Sequence, residues 1–283
     1  MPHVSVRGVN VFYRDEGAGP TVVLGHSSTG SGGQWRPLLE RLASRFRLIA
    51  PDHIGYGRTG PHPGDLPVME HEKAIVAALI DLVPGPVHLV GHSLGGGIMA
   101  RVAAHAPERV RSLTMIEPTL FHLLAPAGRA KEHDEIRLVA DRVIRLVDAG
   151  DHEEAARGFI EYWVGPGAYD AMEPRVRGTV TIGMAKLRAE WPSGFEEWGA
   201  SVQALSALRM PIQLIAGTET TPAARAVVDV LRGIWPEAQL ALIAGAGHMS
   251  PLTHPQSVNQ VIEIFLEAQS GRNQVNRQGA ASP

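Results

Sequence analysis

Ser93 stands at the centre of the run Gly91-His92-Ser93-Leu94-Gly95. Glycine two residues before and two residues after it permits a turn too tight for side chains on either flank. A hydroxyl raised on such a turn can attack an acyl carbon, once a base takes its proton and an acid holds the base. Thirteen histidines compete to be that base. His248 has the fitting setting, Gly245-Ala246-Gly247-His248-Met249, a small-residue loop directly after an apolar run.

Flanking elements must bring these side chains to one place. Val87, Leu89 and Val90 follow Gly85-Pro86 and read as a short buried strand. Ile98, Met99, Val102 and Ala103 then recur at helical spacing. Strand, serine turn and helix together make a nucleophile elbow. The start of the helix, at Leu94, leaves unpaired N–H groups where an oxyanion would form.

Further strands are expected at Val4–Val6, Val9–Tyr13, Thr21–Gly25, Leu48–Ala50, Val110–Ile116, Ile212–Ala216 and Leu240–Ala244. Helices at Trp35–Leu42, Glu70–Leu82, Pro222–Leu231 and Ser257–Ala268 alternate with them. This pattern predicts an α/β fold, a mostly parallel central sheet with helices on both faces. His248, directly after the last strand, then shares the carboxyl edge with Ser93. From Thr119 to Leu208 no strand pattern occurs, and Glu135–Ala149, Glu153–Trp163 and Pro174–Ala189 read as helices. The expected organisation is a core of residues 1–118 and 209–268, a helical cap or lid of residues 119–208, and a flexible tail of residues 269–283.

Composition excludes several classes. The chain has 283 residues, 44% hydrophobic and 19% charged, with net charge −3. No broad basic surface calls for nucleic acid. The absence of cysteine removes disulfides, zinc–thiolate sites and a thiol nucleophile. Glu70-His71-Glu72 and His152-Glu153-Glu154 lack a matching ligand set, and no HExxH run occurs, so no metal is expected. No apolar run reaches the ~18 residues of a membrane span, and the first residues carry no basic-then-apolar pattern. A cytoplasmic protein with no membrane partner is expected, with a homodimer left open.

The runs LGHSSTGSGGQW, PDHIGYGRTG, VGHSLGGG, PIQLIAG and GAGHMSPLTHP occur in that order. As a set they resemble the α/β-hydrolase superfamily, in its esterase, dehalogenase and haloperoxidase-like branch. The resemblance spans Val22 to Pro255 except for the insertion. It implies an α/β-hydrolase fold and the chain order nucleophile, acid, histidine, with Ser93 first and His248 last. It also implies an oxyanion hole from the backbone N–H groups of Ser28 and Leu94. Where the family usually has His-Gly, this chain has His26-Ser27.

The acid departs from the family pattern. Many members carry an aspartate three residues beyond the glycine that ends the strand before last; that position is Thr220 here. Glu117, at the end of Leu113-Thr114-Met115-Ile116 and before Pro118, is the favoured substitute, because a strand end orients a carboxylate well. Glu219 is the alternative.

Trp35, Phe121, Leu123, Trp163, Met184 and Met249 are candidates for an acyl pocket. The expected function is that of a serine hydrolase, a carboxylesterase of small to medium apolar esters, with a small-molecule ester as partner and no cofactor. The same triad serves C–C bond hydrolysis, lactone opening and cofactor-free perhydrolysis. A ligand-binding receptor on the same fold is the alternative from outside enzymology. Dehalogenases and epoxide hydrolases of this superfamily use aspartate where this chain has Ser93.

Overall fold

The computed structural model describes residues 2–279, with side chains as far as Gly271. Its strands are β1 His3–Val6, β2 Val9–Glu16, β3 Thr21–Gly25, β4 Arg47–Pro51, β5 Val87–His92, β6 Val110–Ile116, β7 Ile212–Gly217 and β8 Gln239–Ile243. They form one sheet in the order β1-β2-β4-β3-β5-β6-β7-β8. The β1–β2 and β2–β4 pairings are antiparallel, and the others are parallel. Every residue of β5 and β7 is buried. Apart from His88, His92 and Gln213 their residues are apolar or glycine, as a strand covered on both faces requires.

The helices are α1 Arg36–Leu42, α2 Val68–Asp81, α3 Leu94–His105, α4 Ala130–Asp148, α5 His152–Val164, α6 Pro174–Glu190, α7 Val202–Ser206, α8 Pro222–Ile234, α9 Ser250–Thr253 and α10 Pro255–Gly279. One apolar cluster joins Leu38, Leu39, Val90, Ile116, Ile215, Val258 and Ile262, residues of the strands, α1 and α10. The other joins the sheet to α2, α3 and α8 and continues into α4, α5 and α6. The insertion between β6 and β7 thus shares a core with the sheet. It carries helices and no strand.

One boundary differs from expectation. The tail expected from residue 269 begins inside α10. Gln269 is 5% exposed, and Ser270 Oγ lies 3.3 Å from His88 Nε2. Nothing in Gln269-Ser270 breaks a helix, Gln269 is buried, and the Ser270 hydroxyl finds a partner in His88. Residues 280–283 of that expected tail lie outside the described residues.

Candidate active site

Register fixes the first two residues of the site. Gly91 pairs with Met115 and His92 with Ile116 across β5 and β6. The next residue on each strand is Ser93 and Glu117, so both stand at one edge of the sheet. Each has positive φ, 54° for Ser93 and 43° for Glu117, as does Thr29 at 60°. Such backbone persists only where the surroundings enforce it. Ser93 is held by its N–H, which donates to the Ile116 carbonyl at 2.9 Å, and by its own carbonyl, which accepts from Thr119 N–H at 3.1 Å.

The flanking glycines are required by contact. A Cβ on Gly91 would lie 2.4 Å from the Gly95 carbonyl oxygen, and one on Gly95 would lie 2.3 Å from the Gly25 carbonyl carbon. Helix α3 therefore starts hard against β3, and Leu94 is its first residue. The Leu94 N–H is one of those that a helix cannot pair internally.

His248 follows β8 in a loop laid over the end of β7. Its Nε2 lies 3.0 Å from Ser93 Oγ, and its Nδ1 lies 2.7 Å from Glu117 Oε2. Thr220 Oγ1 donates to that same carboxylate oxygen at 2.6 Å, and Gly217 N–H donates to Oε1 at 2.8 Å. Burial pushes the Glu117 carboxyl up. The hydrogen bond and charge of His248, with the Thr220 and Gly217 donors, outweigh it and hold the group below the usual carboxylate range. An ionised Glu117 only accepts, so His248 Nδ1 carries the proton and Nε2 presents a lone pair to the serine hydroxyl. Ser93, His248 and Glu117 are 5%, 2% and 1% exposed. Glu219 is exposed; its backbone N–H donates to the Ala246 carbonyl at 2.9 Å.

Residues that the sequence did not single out support this line. Burial, then the neighbouring His248, pushes His92 down to about 3, so its ring is neutral. His92 Nε2 faces the His248 carbonyl at 2.9 Å, and Gln34 Nε2 lies 3.2 Å from His92 Nδ1. Gln34 Oε1 in turn accepts from the Ser27 hydroxyl at 2.9 Å and from Ser27 N–H at 3.2 Å. Ser27, where the family usually has glycine, is thus tied through Gln34 and His92 to the loop that carries His248. Only the adjacency of His92 to Ser93 could have signalled this.

A cavity of about 180 Å³ opens beside Ser93 and His248. Ser27, Ser28 and Thr29 line it from the loop after β3. Phe159, Ile160, Trp163, Val164 and Met172 line it from the insertion, and Met249, Leu252 and Thr253 from the histidine loop. Trp163 stacks on the His248 ring with centroids 4.0 Å apart and planes 27° apart.

Two of the six pocket candidates, Trp163 and Met249, line this cavity. Trp35, Phe121, Leu123 and Met184 do not. Trp35 packs in the cluster with α1 and α10, and Phe121, Leu123 and Met184 are buried in the main core. Periodicity marks a residue as apolar and inward, and a packed core satisfies that as well as a cavity wall does. Among the described residues no group of three His, Asp or Glu side chains could hold a metal ion. No helix there is long and apolar enough to cross a membrane.

A family model for the alpha/beta hydrolase fold matches residues 20–255. The chain belongs to this family. A hydrolase from Pseudomonas aeruginosa superposes with a TM-score of 0.75 at 25% identity, over 94% of this chain and 97% of that one. A pimeloyl-[acyl-carrier protein] methyl ester esterase from Methylococcus capsulatus is 26% identical over 270 residues, 91% of this chain and 99% of that protein. A putative carbamate hydrolase from Azorhizobium caulinodans is 36% identical over 116 residues, which span 41% of this chain and 44% of that protein.

Proposed function

We propose that this α/β-hydrolase is a serine carboxylesterase that cleaves small to medium apolar esters through an acyl-enzyme on Ser93. The observation that carries the reading is the unbroken line from Glu117 Oε2 through His248 to Ser93 Oγ, with spacings of 2.7 and 3.0 Å. These are the distances at which a hydroxyl passes its proton to an oriented base.

Ser93 Oγ attacks the acyl carbon as its proton passes to His248 Nε2. The oxyanion that forms accepts from the N–H groups of Ser28 and Leu94. Collapse expels the alcohol, which takes the proton back from Nε2. Water then attacks the acyl-enzyme with His248 as base, the acid departs, and the proton returns to Ser93. Glu117 holds the tautomer and stabilises the imidazolium at each half-reaction.

The cavity supports the substrate class. Its volume of about 180 Å³ is below the ~300–1,000 Å³ of pockets for drug-sized ligands. Apart from the triad its walls carry no charged side chain, which favours compact uncharged groups over carboxylates. The helical insertion, as a cap, shields the acyl-enzyme from bulk water.

A panel of p-nitrophenyl esters from acetate to decanoate, run beside a C–C substrate, a lactone and a perhydrolysis assay, tests the reading. Short-chain esters should be preferred, and Ser93→Ala should lower kcat/KM by at least ~10³. Absence of turnover would leave a binding protein. Preference for another bond would reassign the chemistry while keeping the triad.

A further inference from the structure

The side chain of Ser28 is bound on the side of the insertion. Its hydroxyl donates to Glu190 Oε1 at the last residue of α6. Tyr56 OH donates to Glu190 Oε2 at 3.1 Å, and Lys186 Nζ donates to the same oxygen. Lys186 Nζ also reaches Glu72 Oε1 on α2 at 3.1 Å. Glu72 Oε2 faces His53 Nδ1 at 3.0 Å, and His53 N–H donates to His26 Nε2 at 2.8 Å. The chain of bonds that leaves the loop at Ser28 therefore returns to it at His26.

This network is costly to bury. Glu190 and Glu72 are 2% and 0% exposed, and the Lys186 side chain is 8% exposed. Charges taken from water stabilise little in net terms, so their use here calls for a reason other than adhesion. Val180, Met184 and Leu187 already bury an apolar face of α6. The loop supplies the reason. Thr29, next to Ser28, holds φ at 60°, and a Cβ on Gly183 of α6 would lie 3.3 Å from the Thr29 side chain. The loop is strained and α6 lies directly on it.

We propose that Glu190 is a positioning residue, which holds Ser28 through its hydroxyl so that the Ser28 N–H is aimed at the oxyanion only while the insertion is docked. This rests on the serine-hydrolase reading. The carboxylate touches no reacting atom. It acts through one side chain on the N–H of the same residue, and Lys186, Tyr56 and Glu72 fix its place.

Two rates test it: ester turnover, and phosphonylation of Ser93 by a fluorophosphonate, which forms the Oγ–P bond and releases fluoride. Ser28→Ala removes the hydroxyl and keeps the N–H. It should lower kcat and the labelling rate about 10- to 100-fold with KM nearly unchanged, since a misplaced donor costs on that order. Ser28→Thr should recover most of the loss. Glu190→Leu combined with Lys186→Met removes carboxylate and cation together and should give a similar loss, and Glu190→Gln, which keeps an acceptor, a smaller one. Adding Ser28→Ala to the paired substitution should cost no further rate, because both break the same link. Multiplying losses, or a Ser28→Ala enzyme with normal kcat and labelling, would overturn the proposal. If the paired variant fails to fold, the Ser28→Ala and Ser28→Thr comparison still decides. Failure of the hydrolase reading looks different: wild-type Ser93 would not label at all.

Discussion

Thr220 Oγ1 donates to Glu117 Oε2 at 2.6 Å, onto the oxygen that also faces His248 Nδ1 at 2.7 Å. The position at which the family pattern places its aspartate thus serves a carboxylate supplied from the neighbouring strand. Glu117→Gln should lower kcat on the order of 10²–10⁴ with little change in KM, because the amide neither fixes the tautomer nor stabilises the imidazolium. Thr220→Ala should cost about tenfold or less, as loss of one supporting hydrogen bond. Glu219→Gln should cost less than about tenfold, since an exposed loop charge is screened by water. Steady-state kinetics on one ester ranks the three, and a larger loss for Glu219→Gln than for Glu117→Gln would reverse the assignment.

Trp163 both walls the cavity and covers the His248 ring. Trp163→Ala should enlarge the pocket, shift the preferred acyl chain upward by several carbons, and lower kcat on the shortest ester about tenfold as the base loses its packing. Trp163→Phe should lie between. An unchanged chain-length profile in Trp163→Ala would mean that acyl groups lie elsewhere.

Acid stability follows from buried imidazoles. His88 has its Nδ1 2.7 Å from Ser112 Oγ; burial, then the charge of Arg111, pushes it down from 6.5 to about 3. His92 is likewise pushed down to about 3. Both are neutral in the fold, whereas an unfolded chain takes up these protons near the ordinary value. Their contribution is therefore complete above about pH 6.5 and is lost as pH falls from there toward about 3. Glu117 and Glu72, whose carboxyls lie below their ordinary value of 4.5, add a second loss beneath that value. The melting temperature should begin to fall below about pH 6.5, and His88→Gln should flatten the first part of the fall. An equal slope in that variant would place the uptake elsewhere.

Arg101 on α3 is buried and donates to the carbonyls of Gly97, Ser193, Glu196 and Glu197 at 3.0, 2.8, 2.8 and 3.2 Å. Burial, against the nearby Glu196 charge, lowers its pKa to about 9. It joins the nucleophile helix to the insertion without a carboxylate. Arg101→Met would leave the Ser193 and Glu196 carbonyls without this donor, at ~1–3 kcal/mol for each one left unpaired, whereas the Glu197 carbonyl keeps Ala200 N–H at 2.8 Å. Hydrogen exchange should accelerate across Trp191–Phe195 and far less in Val87–His92. Equal acceleration in both would mean that the insertion and the sheet open as one unit.

The parts legible in the sequence are those with local signatures. Gly91 and Gly95 mark the elbow because they flank Ser93 within five residues, and the contact Gly91 permits, to the Gly95 carbonyl, is local; the strand–helix alternation announces the sheet. Glu117 could be favoured over Glu219 because a strand end orients a side chain and a loop does not. The Thr220 donor, the link from Ser27 through Gln34 to His92, and the Ser28–Glu190 contact were not legible. Ser28 and Glu190 are 162 residues apart, and only the docking of α6 brings them together. Phe121, Leu123 and Met184 share the apolar character of Phe159 and Ile160. Which of them faces space and which faces neighbours is decided by how the helices of the insertion settle.

Glu117 and His248 are separated by 131 residues. At about 5–20 residues per second, a ribosome needs roughly 7–26 s to pass from one to the other. Through that interval Ser93, its turn and Glu117 have all been made, and the imidazole that will face both does not yet exist. On the serine-hydrolase reading, Ser93 can become reactive only after β8 and the loop that carries His248 have been laid down.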